Sequence, residues 1–373
     1  MDAVKIERFR RALKASGFEA AVAVSPENTW YLSEAVIDTQ KELLERLAVV
    51  VWAPDRQPIY IVCTNEEVQA RKESWIQEVR GYVEYQQSPM QLLADALREV
   101  GAASGKVGVE KWFLSVAYFE QLSRLLPDAE FVDARPLFNQ VRAIKTADEI
   151  RRLESACAVT DRSIRKAFEA ARPGMTEKQV GALLTTELIT GGAQALVLQV
   201  LAAGVDSEST HQRAREYVLN RGDLMRTDCG GVFDGGYMTD MARTISVGAG
   251  SQRQRDLYQF MWDEHERLID MVRPGTTCED IYRSHVESFQ RRGWDMLRPH
   301  IGHSLGIGPH EFPLVRPGER TTLQPGMCIS IEPSHFEPGV GKYHLEDLVL
   351  VTEDGPSVLS RTADWSQLFV SGA

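Results

Sequence analysis

Four carboxylates stand inside apolar, strand-like segments of the C-terminal half of the chain. Asp228 ends GDLMRTDCG, Asp240 lies midway along GYMTDMARTISVG, Glu332 follows Cys328-Ile329-Ser330-Ile331, and Glu346 interrupts the run from Tyr343 to Leu350. A carboxylate in a strand interior loses hydration, so it must find a partner or take up a proton. One such residue would read as an edge position. Four, at matching places in two hairpin-like segments, call for a shared counter-charge. Arg243 is the only obvious basic candidate nearby, too little to pair them all. Divalent cations resolve the problem. The stretch PHIGHSLGIGPHE adds His303 and His310, separated by a glycine-rich run that lets backbone approach a crowded centre. Four oxygen ligands and one imidazole favour manganese or a similar borderline ion over a thiolate zinc site.

These residues need elements to hold them. Residues 4–16 carry a helical period, and EAAVAVS, LAVVVWA, PIYIVCT, KVGVE and EFVDA read as strands, with helices around 88–100 and 115–125. That pattern is an α/β domain over 1–138. From there to residue 373 the texture changes. A long helix over 146–171 ends at Arg172-Pro173-Gly174 and restarts behind Thr176, with Gln179 three residues on as a capping box. Arg273-Pro274-Gly275 and Thr277 with Asp280 repeat the device 101 residues later, and extended hairpins follow each copy. The C-terminal segment therefore reads as an internal repeat whose halves enclose a cleft, and the whole chain as α+β.

Composition narrows the partners. A formal net charge of -11 leaves no basic surplus for a nucleic-acid backbone. No apolar run is long enough to span a bilayer, and the charged N-terminus is not a signal peptide. The five scattered cysteines lack any CxxC pair, as expected of a reducing cytoplasm. None of the eight histidines precedes His211, and five (His300, His303, His310, His335, His344) fall within 45 residues, which puts the chemistry in the C-terminal domain.

At these residues the sequence resembles the pita-bread metallopeptidases: aminopeptidase P, prolidase (Xaa-Pro dipeptidase) and their relative creatinase. The five family ligands match Asp228 and Asp240 in TDCG and TDMART, His303 in GHSLG, Glu332 in SIEPS and Glu346 in LEDLVLVTEDG. RALKASGFEAAVAVSPENTWYLSEA resembles the opening of the creatinase-type N-terminal domain, and RAIKTADEIRRLESACAVTD its junction with a pita-bread catalytic domain that carries an internal pseudo-twofold repeat. The resemblance implies two divalent ions, manganese first, with cobalt, zinc or iron as alternatives. It also implies a small peptide or small amide substrate and a homodimer. By position, His211 matches the histidine that approaches the scissile region, and His310 the one that steadies the tetrahedral intermediate. Two departures stand out. Eleven residues separate Asp228 from Asp240, one more than in the family pattern, and His344 stands where prolidases and aminopeptidases P carry arginine.

The resulting expectation is a Xaa-Pro dipeptidase or aminopeptidase-like hydrolase. Asp240 and Glu346 bridge the ions, Asp228 chelates one, His303 and Glu332 hold the other, and Glu332 shuttles a proton to the leaving nitrogen. His344 is expected at the substrate, gripping a carboxylate less firmly than arginine would unless Arg316 or Arg320 takes over. Equally, it could be a neutral histidine that only orients Glu346. A non-peptidase user of the scaffold, acting on a small C–N or C–S compound as ectoine hydrolase, creatinase or dimethylsulfoniopropionate lyase do, is the second reading. A non-catalytic binding protein is disfavoured because no ligand is lost.

Overall fold

The computed structural model describes residues 2–205, 207–296 and 298–372. It divides into two compact units, Met1–Arg142 and Ala143–Ala373. The units part four residues beyond the expected 138/139, at the last turn of helix Arg135–Ala143.

The first unit is a six-stranded mixed sheet in the order Glu78–Tyr82, Ile59–Cys63, Val49–Trp52, Ala20–Ala23, Lys106–Val109, Glu130–Asp133. Its central strands are apolar on both faces, and Leu93, Ala94 and Leu97 of helix Pro89–Glu99 pack into the core they form. The edge strand Glu78–Tyr82 was not expected. Its polar, half-exposed sequence EVRGY carries little strand signal, and parallel pairing with Ile59–Cys63 makes it.

The second unit repeats one plan twice. Helix Ala147–Ala170 is followed by Glu177–Gly191, and Gln252–Asp270 by Cys278–Arg291. Gly174 and Gly275 both take φ 90° at the break, a left-handed turn that a side chain would strain. Thr176 and Thr277 cap the second helix of each pair and bridge to Val218 and Thr322. Three strands follow each pair in matching order. Ala195–Ala203, Leu224–Val232 and Met241–Val247 are neighbours in a four-stranded sheet, and Gly302–Ser304, Cys328–Ile331 and Asp347–Thr352 in a five-stranded one. Among the described residues no helix is long and apolar enough to cross a membrane.

One buried group fastens the second helix pair. Glu264 accepts from His285 Nδ1 (2.7 Å), Arg267 Nη2 (2.7 Å) and Ser288 Oγ (2.8 Å). Burial pushes its carboxyl up, but these donors outweigh it and hold the group below the usual range. Its stabilising effect is therefore present above the ordinary carboxylate pKa and lost as pH falls through the lowered folded value. Glu264→Gln should cost about 1.5–3 kcal/mol near neutral pH and far less at about pH 3. Denaturant unfolding at both pH values checks this; equal costs would rule out the charged form as the stabilising one.

Candidate metal centre

The first pair of ligands is set by hairpin register. Leu224–Val232 and Met241–Val247 pair with Leu224 opposite Ser246, Asp228 opposite Ala242 and Cys229 opposite Met241. The Val232–Met238 bridge continues that register without a slip. Asp240 thus falls opposite Gly230, two residues from Asp228 on the same face, because directly opposed residues share a face and side chains alternate along a strand. A Cβ on Gly230 would lie 1.6 Å from the Thr239 carbonyl oxygen, so only glycine admits this approach. The expected placement is reversed: Asp228 is the middle residue of its strand, and Asp240 immediately precedes Met241–Val247. The ladder shows no bulge from Leu224–Ser246 to the Val232–Met238 bridge, so the pairing that spaces the two aspartates is uninterrupted.

The second pair follows from a longer hairpin. Cys328 pairs with Leu350, Ile331 with Asp347, Ser334 with His344 and Glu337 with Gly341, all in one register. Glu332 and Glu346 face each other at the break between the two ladders, so neither lies within a strand. Thr244 Oγ1 donates to the His344 carbonyl (3.0 Å) and Glu346 N to that of Ala242 (3.0 Å), tying this hairpin to the first. Strand Gly302–Ser304 sets His303 opposite Ser330.

These constraints converge. Ligand atoms of Asp228, Asp240 and Glu346 lie within 4.8 Å of one another, as do those of Asp240, His303 and His310, and of Glu332, His344 and Glu346. His303 Nε2 is 3.6 Å from Glu346 Oε1 and 3.8 Å from Glu332 Oε1. Its Nδ1 lies 3.1 Å from the Ser304 carbonyl, which places the proton there and leaves Nε2 free to ligate. The donors fit divalent ions. Asp240 Oδ1 and Glu346 Oε1 are buried with no hydrogen-bond partner, which a carboxylate tolerates only with a counter-charge. Burial, then the neighbouring carboxylates, push Asp240 and Glu346 well above the usual range; this cluster holds protons unless cations replace them. The centre opens into a cavity of about 770 Å³.

The sequence pattern of metallopeptidase family M24 matches residues 151–353, and that of the creatinase/prolidase N-terminal domain matches residues 5–144. The chain belongs to metallopeptidase family M24. It is 30% identical to a putative dipeptidase (YkvY) of Bacillus subtilis (strain 168), over 96% of this chain and 97% of that one. It is 28% identical to a Xaa-Pro dipeptidase of Lactobacillus helveticus, over 96% and 97%. The solved structure of a Xaa-Pro dipeptidase from Bacillus anthracis superposes with a TM-score of 0.86 at 25% identity, covering 98% of this chain and 99% of that one. This M24 chain is a dinuclear metal-dependent hydrolase of the peptidase class with the pita-bread fold.

Within this M24 centre, several side chains differ from expectation. Arg243 does not pair the ligand carboxylates. Three residues from Asp240, it falls on the opposite face of the hairpin and donates to Asp347 Oδ1 (2.7 Å) and Asp161 Oδ1 (3.3 Å). The cation at the centre is Arg298, which was not singled out from the sequence. Its Nη2 donates to Glu332 Oε2 (2.5 Å) and its Nη1 to the Glu332 carbonyl (2.8 Å). Against the upward push of burial, Arg298, His300 and His344 hold the Glu332 carboxyl well below the usual range. His300 Nδ1 stands 3.1 Å from Glu332 Oε1. Only its place in the histidine-rich window hinted at this.

His344 is fully buried between Asp228 (Nδ1 to Oδ2, 3.8 Å) and Glu332 (Nε2 to Oε2, 3.4 Å) and is absent from the cavity lining. Burial pushes its pKa down. This position suits orientation of ligands, not contact with a substrate carboxylate. Arg316 and Arg320 are exposed and do not line the cavity either. His211 and His310 do line it. His310 stacks on His303 with ring centres 3.8 Å apart, and burial, then His303, push its pKa down to about 4.

Proposed function

We propose that the protein is a manganese-dependent Xaa-Pro dipeptidase that uses Asp228, Asp240, His303, Glu332 and Glu346 as ligands. The observation carrying this reading is the convergence of all five on orphaned carboxylate oxygens at the floor of one cavity. The whole-length similarity to dipeptidases supports the substrate class. Asp240 and Glu346 would be shared between the two ions, Asp228 would hold one, and His303 with Glu332 the other. When bound, the ions supply an activated water and a polarised carbonyl.

The chain's own groups do the rest. Glu332 stays ionised near neutrality because Arg298 holds one oxygen, leaving Oε1 to take a proton and pass it to the leaving nitrogen. His310, neutral at that pH, can donate to the oxygen on which charge develops. His211 stands on the cavity wall, where it can orient substrate beside the scissile bond. The proposed domains are a creatinase-type N-terminal domain over 1–138 and a pita-bread catalytic domain over 139–373, beside compact units that part between Arg142 and Ala143. We further assign the enzyme to the cytoplasm as a homodimer. Its five buried, unpaired cysteines suit a reducing compartment, and light scattering at twice the chain mass checks the assembly.

A substrate panel tests the activity. Xaa-Pro dipeptides, longer Xaa-Pro peptides and small betaines are compared with and without manganese, on protein purified without chelator. Bound metal should approach two equivalents, and proline dipeptides should be the best substrates. Turnover of a betaine alone would favour the non-peptidase reading, and stoichiometry near zero with chelator-insensitive activity would refute the metal assignment.

A further inference from the structure

One buried cation lines the cavity and a second lies behind it, and among the described residues no carboxylate pairs either. Lys342 lies opposite Phe336 in the long hairpin, on the face that carries Glu332 and Glu346, and lines the cavity at 6% exposure. Among the described residues its ammonium donates only to neutral acceptors, the Glu208 carbonyl (3.2 Å) and Thr210 Oγ1 (3.0 Å). Arg226 is fully buried two residues before Asp228, on the ligand face of the first hairpin. Its Nη2 donates to the carbonyls of Ser209 (2.5 Å) and Thr210 (2.8 Å), while Nε and Nη1 have no partner. Among the described residues neither cation has a carboxylate within ion-pair distance. Arg298, by contrast, is already matched by Glu332.

Buried charge without a partner is costly and is retained where something supplies the missing charge. Both cations meet Thr210, Arg226 at its carbonyl (2.8 Å) and Lys342 at its hydroxyl (3.0 Å), and Thr210 and Lys342 line the same cavity as Asp228. The Lys342 pKa is pushed down to about 8 by burial, then by Arg226 and Arg298, as expected of a cation lacking its anion.

We infer that Lys342, backed by Arg226, anchors the free C-terminal carboxylate of a short peptide substrate, a role that His344 cannot fill from its buried position. The inference rests on the peptidase reading but is tested apart from it. The probes are a non-hydrolysable reduced-bond analogue of alanyl-proline and its C-terminal amide, titrated by calorimetry into the metal-loaded protein. The natural protein should bind the acid about tenfold to a hundredfold more tightly than the amide, the range of a charge-assisted hydrogen bond. Lys342→Met should abolish the difference, and Lys342→Arg should keep most of it. Equal binding of acid and amide, binding of neither, or a difference that survives Lys342→Met would overturn the anchor. Hydrolysis of alanyl-proline itself is scored separately. Its absence from the natural protein would refute the dipeptidase reading while leaving the binding difference to decide the anchor.

Discussion

Glu332→Gln should lower turnover by about two orders of magnitude or more while leaving the protein folded and at least one metal bound. Glutamine keeps the shape and one oxygen ligand but cannot accept a proton. The natural carboxylate is poised to do so, since Arg298 occupies Oε2 at 2.5 Å and leaves Oε1, with His300 Nδ1 at 3.1 Å, to handle the proton. Two measurements separate the roles. Bound metal and melting temperature report on ligation and folding, and kcat at saturating manganese reports on proton transfer. Near-normal kcat would show that another group moves the proton. Loss of both metals with loss of activity would make Glu332 chiefly a ligand.

Gly230→Ala is expected to disable the centre without touching any ligand. The new Cβ would meet the Thr239 carbonyl oxygen at 1.6 Å and its carbon at 2.6 Å. Thr239 cannot retreat, because its N–H donates to the Gly231 carbonyl (3.0 Å), and its hydroxyl accepts from Gly231 N (3.0 Å) and meets Thr160 Oγ1 (2.8 Å). The hairpin must open, carrying Asp240 away from Asp228. A cost of about 2–3 kcal/mol is expected from the overpacking. Bound metal should fall to one equivalent or fewer, as measured by elemental analysis beside denaturant unfolding. Gly250→Ala is the control, since a Cβ there meets nothing closer than 3.5 Å. Full metal occupancy in Gly230→Ala would mean that hairpin register does not set ligand spacing.

The proposed ligands were legible because buried carboxylates are chemically conspicuous, and the structure brings the five side chains close to one another. Their exact settings were not. Whether Asp228 or Asp240 lies mid-strand depends on where a glycine-rich turn closes, which residue types alone leave open. The direction of Arg243 follows from an odd separation from Asp240 in a paired strand, so it needed the register. Arg298 lies in a stretch between helix Cys278–Arg291 and strand Gly302–Ser304 that has no periodicity to read. Its role comes from a contact across 34 residues of sequence. The break between helices Ala147–Ala170 and Glu177–Gly191, in contrast, was readable from Arg172-Pro173-Gly174 and the capping Thr176, because those signals act within one turn.

The unbroken ladder between the two aspartates also bears on how such chains can diverge. Spacing between Asp228 and Asp240 is held by pairing up to Val232–Met238, so a surplus residue in the tip is invisible to the ligands. Counting residues between the two aspartates is therefore a poor criterion for excluding a relative. Asp234 at the tip is 88% exposed. A labelling peptide or surface tether inserted between Asp234 and Gly235 should therefore leave the chemistry unaltered.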